Sequence, residues 1–307
     1  MHKLPTGKDL VKVLDFRKLP KVLLHEHLDG GVRPRTVMPS HVQEQATSGG
    51  AVRSGTGTSP RVDRAMDSRT FLGLEPSHNR FRWTVPITPQ ICTTANFMFG
   101  GAGLGAAIAA LEGTSGRQTI WATAQYLSYA KPGEVLDIDI TLAVEGHQMT
   151  QARAVCHVGN REILTVNAAL GERPFELTGQ WEQMPDVPPP SKCPSRPFRG
   201  PVDGSINEKL DQRFVKGRPV ESLDGTQGDG QVLMWARIPD VIDGVDAATL
   251  AILGDFVPMG VGQSLGVRGG GNSLDNTLRV GESVDCASSM MARTASSASS
   301  ARTWKLP

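Results

Sequence analysis

The chain has almost no net charge: 32 Lys and Arg stand against 31 Asp and Glu. So even a balance creates no long-range field to gather nucleic acid or an acidic membrane surface, and partners have to be sought locally. Cysteine is sparse. The four thiols, Cys92, Cys156, Cys193 and Cys286, are far apart, form no Cys-x-x-Cys pair and follow no signal-peptide pattern. That combination points to structural thiols in a reducing, cytoplasmic setting. Long apolar runs are also lacking. The most apolar stretch, residues 238–267, is broken by Asp240, Asp243, Asp246, Asp255, two prolines and several glycines, so it cannot serve as a bilayer span. Histidine is absent after His157.

What is present divides the 307 residues into six parts, enough for one large or two ordinary domains. Residues 1–39 are of mixed polarity and carry LLHEHLDGG. Residues 40–70 are rich in Gly, Ser, Thr, Arg and Gln without an apolar period, so a disordered connector is expected there. From 71 to 183 the pattern is regular. A strand is predicted over 81–87 and a small-residue apolar helix over 97–111. Four strands then follow over 119–128, 135–145, 151–158 and 162–169, separated by short turn signals that imply antiparallel neighbours. An antiparallel sheet wrapped around one central helix is an α+β arrangement, the hotdog. The glycines of that helix would let strands approach closely.

Residues 184–204, MPDVPPPSKCPSRPFRGP and its flank, read as a proline-rich linker. Over 205–280 the order begins again, with a strand at 231–238, an apolar helix at 247–265 and a strand from 273 to 280. The repeat then stops. Residues 281–307 form a low-complexity tail in which the stretch 287–301 is dominated by Ser and Ala, and no strand is expected there. The expectation is a double hotdog whose second unit is truncated.

Two motifs carry chemistry. A strand ending in His-x-His puts both imidazoles on one face, where they can hold a single zinc ion. LPKVLLHEHLDGGVRP, within residues 14–37, resembles the N-terminus of adenosine deaminases, and the resemblance implies His25 and His27 as metal ligands with Asp29 and Gly30 beside the substrate. A catalytic zinc needs three protein ligands, however. The other histidines, His2, His41, His78, His147 and His157, do not occupy the later positions of that family, so the site is expected to be incomplete and no cofactor is expected.

The longer likeness begins at FLGLEPSHNRFRW and runs through FGGAGLGAAIAALEG, TIWATAQYLSYAKPGEVLDIDI, NREILTVNAALGERPFE, ATLAILGDFVPMGVGQSLG and GGNSLDNTLRV. Over residues 71–280 these segments resemble type II acyl-CoA thioesterases, a family of two fused hotdog units. The resemblance implies a water molecule positioned by a carboxylate on the second helix, a hydroxyl at the start of the next strand and a glutamine near the end of the sheet. Asp255 matches the carboxylate and Ser273 the hydroxyl. The glutamine has no counterpart within 281–307.

An ionised carboxylate between Leu253 and Phe256 on an apolar helix costs several kcal/mol, roughly, unless it is partnered or protonated, so Asp255 demands an explanation. It either faces solvent at a break near Gly254 and Pro258 or it does chemistry. The helix over 97–111 contains no acid, so only the second unit could host such a base. Gly101, Gly103 and Ala106 fit G-x-G-x-x-A but lack the βαβ context of a dinucleotide site. Asp137 and Asp139 lie on one strand face and read as solvated rather than metal-binding.

Three functions follow as expectations. The first is acyl-CoA hydrolysis, with CoA phosphates near basic groups such as Arg268. The second is a catalytically incomplete hotdog protein that binds acyl groups or forms a homo-oligomer. The third is a zinc-dependent deaminase. Neither nucleic acid nor a membrane is expected as a partner.

Overall fold

The structure, a computed structural model, describes residues 67–172, 186–196, 204–238, 245–255, 257–267, 270–271, 273–280, 290–295 and 304–305. The deaminase-like segment with His25 and His27, most of the connector, Arg268 and Cys286 lie outside them.

The first described element corrects the connector's far boundary. Helix α1, Ser68–Leu72, starts within the stretch expected to be disordered, because the Asp67 side chain accepts a 2.7 Å hydrogen bond from the Thr70 N–H and Gly73 closes it with φ of 68°. Strands β1, Glu75–Pro76, and β2, Arg82–Pro86, lead to helix α2, Gly100–Ser115. Every residue from Gly101 to Leu111 on α2 is buried, as expected for a helix apolar on all sides. The helix runs past the predicted end and takes in Glu112. Its carboxylate accepts from the Thr119 N–H at 2.8 Å, so the statement that this helix is free of acid is corrected.

Strands β3, Thr119–Tyr126, β4, Val135–Glu145, β5, Met149–Val158, and β6, Arg161–Gly171, form the predicted meander. With β1, β2 and a seventh strand, β10, Asp275–Arg279, they wrap α2 in an antiparallel sheet ordered β1-β2-β4-β5-β6-β3-β10. Period-two alternation sets which side chains enter the core. On β4, Leu136, Ile138 and Ile140 are buried against the helix, while Asp137 and Asp139 point outward. Each such Leu or Ile contributes about 1.5–3 kcal/mol on burial. The whole is an α+β, hotdog-like fold.

The last strand of that sheet comes from the second half of the chain. Strand β10, Asp275–Arg279, pairs antiparallel with β3, with Asn276 opposite Ala124. The rest of the second half comprises helix α3, Ile206–Lys209, strands β7, Asp211–Lys216, and β8, Gln231–Arg237, and helices α4, Ala247–Gly254, and α5, Val257–Leu265. Three further strands are described there: β9, Gly270–Gly271, β11, Met290–Ala295, and β12, Trp304–Lys305. Strand β11 overturns the expectation that the Ser- and Ala-rich tail holds no strand. It pairs along β8, from Met290 opposite Ala236 to Ala295 opposite Gln231, because an open strand edge offers backbone partners whatever the side chains. Part of the proline-rich linker is also packed, not merely spanning. The Trp235 Nε1–H donates to the Pro188 carbonyl at 3.0 Å, and Cys193 is buried beside Trp235.

The halves meet helix against helix. A Cβ at Gly101 would lie 2.6 Å from the Ala251 carbonyl oxygen, and one at Gly105 would lie 2.8 Å from that of Ala248. These two glycines therefore let α4 approach, which corrects their assignment to strand packing. Gly103, facing Leu164 of β6, fits the original assignment. At the other end of α4, the Ser68 hydroxyl donates to Asp246 Oδ2 at 2.5 Å, and Asp246 also caps the helix through the Thr249 N–H.

Candidate active site

The predicted helix over 247–265 is two helices, and the break delivers the candidate base. Pro258 has no N–H to continue a helix, and its ring would strike the carbonyl four residues back, so α4 stops at Gly254 and α5 restarts with the proline in its first turn. Asp255 occupies the break with φ of −88° and ψ of 58°, rather than mid-helix. It does not face solvent. Only 7 % of it is exposed.

Three elements converge on its carboxyl. Oδ2 accepts a 2.7 Å hydrogen bond from the Gly101 N–H, in the first turn of α2. That helix needs such a partner, because its N-cap residue, Phe99, supplies no side-chain acceptor. Oδ1 faces the Asn276 Nδ2–H at 3.4 Å. Asn276 shares with Leu278 the inward parity of β10, while Asp275, Thr277 and Arg279 face outward. Burial pushes the carboxyl pKa up from 3.8 to about 6, with the Gly101 and Asn276 bonds pulling the other way. At neutral pH the group is therefore mostly ionised and is a stronger base than an ordinary aspartate.

Tyr126, at the end of β3, completes the surroundings. A Cβ built on Gly100 would lie 2.7 Å from Asp255 Oδ2, 3.1 Å from Tyr126 Cζ and 3.2 Å from its Oη, so the bare glycine backbone lets carboxyl and phenol pack closely against the start of α2. The Tyr126 hydroxyl is buried. Asn276 lies near enough to favour its ionised form slightly, but no hydrogen-bond geometry is met and the hydroxyl has no partner among the described residues. Burial, reinforced by the Asp255 charge, holds the phenol far above its ordinary pKa, so it stays protonated.

Ser273 is half-buried and precedes β10 by two residues. No hydrogen bond joins it to Asp255; from this segment it is Asn276 that reaches the carboxyl. Sequence reasoning missed Asn276, Tyr126 and the Gly101 N–H. Only weak signals marked them: a polar residue on the inward parity of a strand, and one of just two tyrosines in the chain. Two surface clefts, one along Asp211, Arg213 and Arg237 and one along Thr123, Asn167 and Asp275, include neither Asp255 nor Tyr126. Among the described residues no cluster of His, Cys, Asp and Glu could hold a metal ion, and no helix is long and apolar enough to cross a membrane.

Comparison with known proteins places this geometry in context. No family model and no curated protein matches the chain. Solved structures do. A provisionally assigned thioesterase from Novosphingobium aromaticivorans is 27 % identical with a TM-score of 0.60, over 71 % of this chain and 82 % of its own. A hot dog fold protein of unknown function from Alicyclobacillus acidocaldarius is 19 % identical with a TM-score of 0.61, over 73 % and 83 %. An acyl-CoA thioesterase II from Mycobacterium marinum is 18 % identical with a TM-score of 0.54, over 73 % and 83 %. The fold is thus of the hotdog class, with thioesterase-like neighbours at low identity. Nothing in these similarities supports the deaminase resemblance.

Proposed function

We propose that the chain is a thioester hydrolase that cleaves acyl-CoA to a free acid and CoA, with Asp255 as general base and Ser273 assisting the water. The two hotdog units would span residues 71–183 and 205–280. One observation carries the reading: a buried carboxylate with its pKa raised to about 6 stands in a helix break between the two halves, beside a buried phenolic hydroxyl. A group so placed can take a proton from water as the water oxygen adds to the thioester carbonyl carbon. The tetrahedral adduct then collapses, the C–S bond breaks and the departing thiolate takes up a proton. The long likeness over 71–280 and the thioesterase-like neighbours agree with this assignment.

A second reading has one observation in its favour. The same carboxylate caps α2, which lacks a cap of its own, so Asp255 could be structural in a hotdog protein that binds acyl groups or self-associates without cleaving them. Thiol release from acyl-CoAs of increasing chain length separates the two. Hydrolysis by the wild type that falls at least about 100-fold in a folded Asp255→Asn variant supports the base. Equal release by both proteins discards it.

A further inference from the structure

We infer that the Tyr126 hydroxyl is the hydrogen-bond donor to the acyl carbonyl oxygen of the ligand, a role that rests on the thioester-cleaving reading above. A buried phenolic hydroxyl is almost always partnered, because leaving it without a hydrogen bond costs about 1–3 kcal/mol. Tyr126 is an exception among the described residues, and the exception stands beside the buried carboxyl of Asp255. Asp255 Oδ2 is turned to the Gly101 N–H and Oδ1 to Asn276, so the phenol proton is not spent on the carboxyl.

The phenol and the carboxyl both pack against the bare backbone of Gly100. A Cβ at Gly100 would lie 2.7 Å from Asp255 Oδ2 and 3.2 Å from Tyr126 Oη, so a ligand carbonyl that reaches this corner has an acceptor of protons and a donor at hand. A carbonyl attacked by water needs those two groups. The base draws the proton from water while the donor steadies the charge gathering on the oxygen. Tyr126 need not lose its proton in any step, in keeping with a phenol that burial keeps neutral. A strictly structural tyrosine would have no reason to leave its hydroxyl unpaired, since phenylalanine would fill the same volume without that penalty.

The test uses two non-hydrolysable acyl-CoA analogues: a ketone, with methylene in place of sulfur, and a thioether that lacks the carbonyl. By titration calorimetry the wild type should bind the ketone roughly tenfold more tightly than the thioether, a difference of about 1.4 kcal/mol. Tyr126→Phe should erase that preference while leaving thioether affinity and melting temperature unchanged or higher. Gly100→Ala, whose methyl group would press on both Asp255 and Tyr126, should weaken both ligands. A ketone preference that survives Tyr126→Phe, an absent preference in the wild type, or unchanged binding by Gly100→Ala overturns the inference. The hydrolytic reading is judged apart from it: a Tyr126-dependent ketone preference with no thiol release keeps the donor and removes hydrolysis. Full-rate release by Tyr126→Phe removes the donor alone.

Discussion

Gly101 and Asp255 stand 154 positions apart in sequence and are joined by a 2.7 Å hydrogen bond from the Gly101 N–H to Oδ2. Through it, a carboxylate of the second half terminates the central helix of the first. The same atom is therefore a cap and the best candidate for a base.

Its ionisation should be visible in stability. The folded pKa of about 6 lies above the ordinary 3.8, so between these values the folded protein binds a proton that the unfolded chain has lost. Asp255 thus favours the fold most below pH 4, and this advantage disappears as pH rises to 6, a change of about 3 kcal/mol. Denaturant melts of wild type and Asp255→Asn across pH 4–7 should diverge by about that amount, with the wild type declining. Parallel curves would show an unperturbed carboxyl. If Asp255 is the base, kcat/KM should rise over the same interval as it ionises.

Close helix contact gives a second expectation. Gly101→Ala would bring a Cβ to 2.6 Å from the Ala251 carbonyl and 3.0 Å from Ile252 Cα, both rigid backbone, and should destabilise by about 1–3 kcal/mol. Gly103→Ala meets the flexible end of Met98 at 2.9 Å and gains helix propensity, so its melting temperature should stay near that of the wild type. Equal effects at the two positions would contradict the interface.

On the outer sheet face, His157 holds acceptors at both ring nitrogens: the Gly159 carbonyl at 2.8 Å from Nδ1 and Asp139 Oδ2 at 2.9 Å from Nε2. Partial burial pushes the imidazole pKa down, but these bonds outweigh it and the net shift is upward. A raised histidine stabilises the fold fully below about 6.5 and loses that contribution as pH rises through the folded value. Asp139 is itself held low, chiefly by Arg82, whose Nε donates to Oδ1 at 2.6 Å. In Asp139→Asn, NMR titration should show the His157 midpoint dropping; an unmoved midpoint would remove Asp139 as the cause.

Thiol chemistry offers a fourth. Cys92 is buried and pushed up to about 11, and complete burial of Cys156 drives its thiol higher still. Both should resist a disulfide reagent in the native protein and react on unfolding, as expected of packing thiols. Fast labelling of either in the folded state would refute their burial.

Much of the sheet was legible because its strands alternate strictly. The predicted 135–145 strand matches β4 residue for residue, and the neighbouring strands differ only at their ends. Strand β7, DQRFVK, was not legible, since its polar composition carries no alternation. The helix break was foreseeable from Pro258 yet was read as a continuous apolar run. For the candidate site, Asp255 announced itself as an acid among leucines. Tyr126, Asn276 and Gly101 could not, since their meaning arises only when β3, β10 and α2 are brought together by contacts spanning much of the chain.

The pairing of β10 with β3 makes each half a custodian of the other. Without residues 275–279, β3 would be a bare sheet margin and Asp255 would lose its Asn276 partner. Neither portion can then be exchanged, duplicated or expressed as a self-sufficient module. A nick in the intervening proline-rich stretch should instead leave two polypeptides that hold together without a covalent bond.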